Sequence, residues 1–257
     1  MSKILLFIPC YNCEKQITRV LKSINNSKIL KRFNEVLIVE NRSTDKTLKT
    51  VKDFIKKNKL KKTILIQNNK NYSFGGSHKV AINYAKNKKF THLVVLHGDD
   101  QANINDILKF NFKNISEFDC FMGSRFLKNS KTKTYSKFKS FGNMVFNSIF
   151  SLFAKKKIYD LGSGLYLLKL KILNDNKYLS FPDNLTFNYF LTLYITEKKY
   201  NLKYFPISWK EEDQVSNVKI FKQTFELSKI LFFFIFNKNK IINLRKRNKK
   251  YEYRKIL

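Results

Sequence analysis

The stretch that most constrains this chain is Leu93-Val94-Val95-Leu96-His97-Gly98-Asp99-Asp100-Gln101. Four apolar residues in a row, two of them β-branched, specify a strand buried on both faces. The run then stops at a glycine and two carboxylates. Open α/β sheets bind ligands at the carboxyl ends of their strands. Asp99 and Asp100 therefore belong at a ligand edge, where a carboxylate without a partner is costly. A divalent cation carrying phosphates fits, because Mg²⁺ takes one or two carboxylates and leaves room for phosphate oxygens. A solvated turn would look the same over these residues alone, so the surrounding chain has to decide.

Three more apolar runs repeat the pattern. Lys3 to Pro9, Glu35 to Val39 and Lys62 to Ile66 are predicted strands. Ile17, Val20, Leu21 and Ile24 fall at helical spacing, as do Leu48, Val51, Phe54 and Ile55, with Ser43 or Thr44 as the second helix's cap. Asn71 to His78 reads as a glycine-containing loop and Lys79 to Lys88 as a helix. Alternating strands and helices predict an α/β fold with a mostly parallel central sheet flanked by helices. Neither GxGxxG nor a glycine-rich Lys-Ser/Thr loop occurs, which excludes an ordinary dinucleotide-binding or P-loop protein. The 257 residues suffice for one sizeable domain, expected at 1–236, followed by a basic tail at 237–257.

The 51 Lys and Arg against 19 Asp and Glu give a net charge of +32, which calls for an anionic partner. The excess is nearly all Lys, scattered between apolar positions, so an AT-rich genome accounts for it equally well. No nucleic-acid motif is present, and no nucleic-acid partner is expected. Three cysteines and no signal peptide fit a reducing cytosol. Cys10 and Cys13 form a Cys-x-x-Cys with no second pair to complete a zinc site. No apolar run reaches the ~18 residues of a membrane span. Tyr135 to Phe153 is instead an amphipathic helix with basic flanks, suited to core packing or to an anionic membrane surface. Asp160 to Lys169 reads as turn plus strand, and Phe205 to Trp209 as an edge strand. Glu211 to Ser216 is an acidic patch that meets acceptor hydroxyls or balances charge.

Six segments in order resemble family-two glycosyltransferases, whose nucleotide-sugar-binding fold is called GT-A. Ile8-Pro9-Cys10-Tyr11-Asn12-Cys13-Glu14 looks like that family's Val-Pro-x-Tyr-Asn-Glu-Glu. Ile38 to Thr47 looks like Val-Val-Asp-Asp-Gly-Ser-Thr-Asp-Gly-Thr. Asn71 to Ser77 is similar to Asn-x-Gly-x-Gly-x-Ala/Ser, and Leu96 to Gln101 to Leu-Asp-Gly-Asp-Gly-Gln. Gly123-Ser124-Arg125-Phe126 matches Gly-Ser-Arg-Phe, and Asp160 to Gly164 looks like Asp-x-x-Ser-Gly. The segments cover about the first two thirds of the chain. The flavour is that of polyprenyl-phosphate sugar transferases.

The resemblance implies an inverting, metal-dependent transfer from a UDP- or GDP-linked sugar to a polyprenyl phosphate or a growing glycan. It implies donor binding by Pro9, Tyr11, Asn12, Glu14, Glu40, Asn41, Gly75, Gly76, His78 and Gly98. It implies Mg²⁺ or Mn²⁺ on His97, Asp99 and Gln101, where His97 stands in place of the family's first acid and suits Mn²⁺ better. Arg125 and Asp160 belong to the catalytic set, with Arg125 clamping phosphate. Asp183 is the candidate base for a hydroxyl acceptor, although an N-cap reads the same. His92, at a strand start, is expected at the surface. A cytoplasmic protein peripheral to the inner face of the membrane follows. A nucleotidyltransferase or a non-enzymatic basic lipid- or nucleic-acid-binding protein are the alternatives.

Overall fold

The structure is a computed structural model that describes residues 2–25, 27–109, 115, 117–213, 220–237, 244 and 248–257. Strands β1 (Ile4–Cys10), β2 (Glu35–Glu40), β3 (Thr63–Asn68) and β4 (His92–Leu96) alternate with helices α1 (Glu14–Ile24), α2 (Ser27–Leu30), α3 (Thr47–Lys57) and α4 (Ser73–Asn87). Strands β5 (Cys120–Ser124) and β6 (Lys131–Lys133), helix α5 (Lys137–Ala154) and strand β7 (Leu165–Lys169) follow. The chain continues with α6 (Phe187–Glu197), β8 (Leu202–Pro206), β9 (Ser208–Lys210), α7 (Ile220–Phe236) and β10 (Tyr253–Lys255).

One eight-stranded sheet runs β10-β3-β2-β1-β4-β7-β5-β8. The block β3-β2-β1-β4 is parallel, as its continuous apolar runs predict. Strand β7 is antiparallel to both neighbours, β4 and β5. Successive strand side chains point to opposite faces. Leu5, Phe7, Leu93 and Val95 therefore pack with Val80 and Ala81 of α4 and Leu191 of α6. Leu6, Ile8, Val94 and Leu96 pack on the other side with Ile17 and Leu21 of α1 and Val51 of α3.

Four expectations need correction. The predicted loop from Asn71 to His78 is mostly helix, because α4 starts at Ser73. Its glycines serve packing: a Cβ on Gly75 would lie 2.5 Å from the Pro182 carbonyl oxygen, and one on Gly76 2.5 Å from Tyr72 Cβ. The C-terminal residues are not an appended tail. Strand β10 pairs antiparallel with β3, and Ile256 N–H donates to the Leu65 carbonyl at 2.8 Å. His92 is only 3% exposed, because the first residue of the central strand is covered by Ile4 on one side and Lys169 on the other. The single edge strand expected at Phe205 to Trp209 splits at Ile207, with β8 on the main sheet and β9 pairing with β6. Residues 238–243 and 245–247 of the basic segment, including Arg245-Lys246-Arg247, lie outside the described residues, as do Gln214 to Ser216 of the acidic patch.

Candidate functional site

The carboxyl ends of β1 and β4 open into a cavity of about 770 Å³. Pro9, Tyr11, Asn12, Asn41 and Gly98 line one half of it, together with His97, Asp99 and Gln101. The β1–α1 loop is tied down before any ligand arrives. Asn12 N–H donates to Ser43 Oγ at 3.1 Å, and Asn12 Oδ1 accepts from Thr44 N–H at 2.8 Å. Glu14 points away from the cavity and accepts the Lys46 N–H at 2.7 Å. Glu40 is buried, accepting from Ser43 N–H and from Gln67 Nε2. Both acids hold the loop; neither lines the cavity. Asn41 does line it, but its amide braces β3 and the α4 entry by bonds to Asn68, Asn71 and the Tyr72 N–H. Gly98 is required where β4 leaves β1, since a Cβ there would meet Cys10 Sγ and the Pro9 oxygen at 2.9 Å.

The acid pair after β4 divides its work. Asp100 adopts φ 60° and turns outward to Arg19 at 2.6 Å and Lys210 at 2.8 Å. Asp99 faces the cavity and accepts the Gln101 N–H at 3.2 Å. Burial pushes the Asp99 pKa up, and neighbouring His97 pulls it back. His97 is lowered by burial, against the pull of Asp99, and its Nε2 finds no partner among the described residues. One carboxylate, one imidazole with an unengaged nitrogen and one amide are too few to enclose a cation. No group of three His, Cys, Asp or Glu among the described residues could do so. The set does fit a cation shared with a diphosphate, where phosphate oxygens complete the shell.

His78 belongs elsewhere. It is buried in α4 with Nδ1 2.9 Å from the Phe74 carbonyl, among the rings of Phe7, Phe74 and Phe187. Burial, then the charge of His97, holds its pKa at about 3. It is a neutral core imidazole and does not reach the cavity, nor do Gly75 and Gly76.

Arg125, at the end of β5, forms the centre of the other half. Its Nε and Nη2 donate to the two Asp160 oxygens at 2.8 Å each, and Nη1 lies 3.4 Å from Tyr135 Oη. The guanidinium also sits 5.1 Å from the Trp209 ring centre and 5.5 Å from that of Tyr135. Burial opposes the charge, but Asp160 outweighs it and raises the Arg125 pKa above its ordinary value. Asp160 is itself buried and acts through Arg125. Tyr135, Tyr189 and Trp209 escaped the sequence reading as site residues. Only their convergence on Arg125 marks them, and Trp209 alone carried a signal as the single tryptophan.

Asp183 is not in this cavity. Its Oδ1 accepts from Lys79 Nζ at 2.7 Å and Tyr251 Oη at 2.6 Å, and its Oδ2 from Lys249 Nζ at 2.7 Å. Burial works to raise its pKa, but these three donors prevail and hold it at about 2. Its neighbours Asn184 and Leu185 line the cavity instead.

The Glycosyl transferase family 2 profile matches residues 6–176. The chain belongs to that family. It is 26% identical over 235 residues to the uncharacterized protein MJ0544 of Methanocaldococcus jannaschii, covering 89% of this chain and 97% of that one. It is 27% identical to the poly(ribitol-phosphate) beta-glucosyltransferase of Bacillus spizizenii over 71% of this chain, but spans only 27% of that relative. Among solved structures, S. aureus TarS superposes with a TM-score of 0.58 at 19% identity, over 94% of this chain and 69% of that one. Glucosyl-3-phosphoglycerate synthase from Mycobacterium tuberculosis with UDP gives 0.64 at 9%, over 95% and 81%. Mannosyltransferase PcManGT from Pyrobaculum calidifontis, with GDP-Man and Mn²⁺, gives 0.61 at 14%, over 95% and 66%. The fold of this family 2 member is GT-A, and the chain is a glycosyltransferase.

Proposed function

We propose that this glycosyltransferase moves a sugar, with inversion, from a UDP- or GDP-linked donor to a lipid phosphate at an anionic membrane surface. The observation that carries this reading is Arg125, a buried guanidinium held by both oxygens of Asp160 at the centre of the cavity's second half. A guanidinium fixed in this way suits phosphate recognition. The donor's base and ribose would lie along Pro9 to Asn12. Asp99, His97 and Gln101 would hold Mg²⁺ or Mn²⁺, which neutralises charge on the departing diphosphate. Arg125, in the other half, offers its fixed positive charge to the acceptor phosphate without reorganising.

A phosphate acceptor is already ionised at neutral pH and needs no base. That agrees with Asp183 being committed to Lys79, Lys249 and Tyr251. A second reading has support of its own. Glu211 lines the cavity and pairs with Lys139 at 3.0 Å, so a glycan hydroxyl would have a carboxylate base within the site.

The membrane part rests on helices α5 and α7. No helix among the described residues is long and apolar enough to cross a membrane. Yet Phe138, Phe141, Leu152, Phe225, Phe232 and Phe236 are 60–76% exposed, far more apolar surface than single scattered residues. Lys137, Lys155 and Lys157 flank them. Each such Lys near an anionic bilayer contributes about 1 kcal/mol, screened by salt. The test is incubation with UDP- and GDP-sugars, Mn²⁺ or Mg²⁺, and anionic liposomes carrying an isoprenyl phosphate. A sugar-linked lipid phosphate should form, and the protein should sediment with the liposomes less at high salt. Transfer to soluble glycans alone, with equal recovery on neutral liposomes, would refute the reading.

A further inference from the structure

The chain has seven glycines, and six are explained by packing. A Cβ built on Gly75, Gly76, Gly98, Gly123, Gly162 or Gly164 would come within 3.0 Å of a neighbouring atom. Gly142 is different. It lies inside α5, and a Cβ there would meet nothing within 4 Å among the described residues. No glycine has a positive φ, so the backbone does not require one at this position either. A glycine inside a helix weakens it relative to alanine. The usual remaining reason is room for something to approach the backbone closely.

The surroundings say what that is. Phe138, Gly142 and Phe146 are spaced four apart, so they form one row along α5, and all three line the cavity. Leu227 of α7 lines it opposite them. The two helices close against each other farther along, where the Phe150 and Phe234 ring centres are 5.8 Å apart. The result is a track with an apolar α5 side, notched at its middle, and a mixed α7 side where Gln223 and Thr224 join Leu227. Its inner end is polar and cationic. Asn143 Nδ2 donates to Tyr135 Oη at 2.9 Å, and Tyr135 in turn adjoins Arg125. Among the described residues, Asp160 and Tyr135 use three of the five guanidinium N–H groups, and the other two face a ligand's position. The outer end runs into the exposed Phe141 and Phe225.

We infer that the groove between α5 and α7 holds the hydrocarbon chain of the acceptor, with its phosphate on Arg125 and the chain passing over the Gly142 notch. This deepens the acceptor assignment above and rests on it. Gly142 then selects acceptors by chain length: a lipid phosphate with a long chain fills the track, and a short one does not reach it. An isoprenyl chain and a straight acyl chain share the required chemistry, so both are tested.

The experiment compares wild type and Gly142→Leu in detergent, with a long isoprenyl phosphate, a phosphatidic acid and a short isoprenyl phosphate as acceptors. Gly142→Leu should raise KM for a long-chain acceptor by about tenfold or more, the loss expected when roughly two methylenes are expelled from an apolar track. KM for the short acceptor and the Kd for the nucleoside diphosphate should not follow. A larger shift on one long-chain acceptor names the chain that the groove fits. An unchanged long-chain KM, or an equal rise for short and long acceptors, would overturn the inference. Gly142→Ala adds a methyl that meets nothing and should raise the melting temperature; a fall would show that the notch is not open. Wild-type turnover that reaches only soluble glycans would instead sink the lipid-phosphate reading itself.

Discussion

Replacing Asp183 with Asn tests whether this carboxylate is structural or catalytic. The Lys79 side chain is 0% exposed, and its ammonium is held by Asp183 Oδ1, by Tyr251 Oη at 3.2 Å and by the Phe181 carbonyl. Removing one partner of a buried pair costs about 3–5 kcal/mol. Asp183 is 14% exposed and the other two oxygens stay, so a loss of about 2–3 kcal/mol is the better figure. Linkage gives the same size: a pKa near 2 in the folded state, against about 3.9 unfolded, is worth about 2–3 kcal/mol at neutral pH. The sign follows from the depressed pKa. The stabilisation is complete above about pH 5 and disappears as pH falls toward 2. Urea denaturation of wild type and Asp183→Asn, followed from pH 7 down to pH 3, should show a gap that narrows with acid. Turnover per folded molecule should survive in the variant. Equal stability at pH 7 together with lost turnover would refute the structural assignment and restore Asp183 as a base.

Asp99→Asn should leave the melting temperature within about 2 °C while cutting turnover by about 100-fold or more, since it removes charge facing the diphosphate and little packing. His97→Asp should shift metal preference from Mn²⁺ toward Mg²⁺, read by titration of metal in the presence of nucleoside diphosphate; an unchanged preference would place the imidazole outside the metal's contacts. Removing residues 248–257 should destabilise the domain and expose the edge of β3, because it deletes β10 and the Lys249 and Tyr251 contacts to Asp183. Hydrogen exchange at Ile64 to Asn68 would report it, and wild-type protection there would contradict it.

The half of the cavity along β1 and β4 was legible because local signals coincide there. Each of β1 to β4 is a continuous apolar run, and β4 ends at the Gly-Asp pair of the site. The start of α4 was hidden, because glycines at 75 and 76 read locally as a loop. The need at Gly75 appears only when Pro182, more than a hundred residues later, presses on it, while Gly76 is hemmed in by Tyr72. Asp183 carried a helix-start signal, while its partner Lys79 looked like one lysine among many. His92 looked exposed because a strand's first residue usually is; here β1 begins and the antiparallel β7 ends alongside it. Tyr135, Tyr189 and Trp209 share no sequence spacing and meet only around Arg125.

The reversal of β7 has a consequence for how such a transferase can be altered. Strands β5 and β7 pair antiparallel, Met122 opposite Tyr166, so the chain leaves the sheet after Ser124 and re-enters it beside its own departure point. Everything between, residues 125–164, is a single excursion. It carries Arg125, Tyr135, all of α5 with its notch, and Asp160. The entropy of closing an excursion depends only weakly on its length once its ends are pinned together. Changes of length within residues 125–164 are therefore cheap wherever β6 keeps its pairing with β9 and α5 its contact with α7. A segment that keeps those two contacts can be exchanged to vary the half of the cavity around Arg125 while β1 to β4 keep their register.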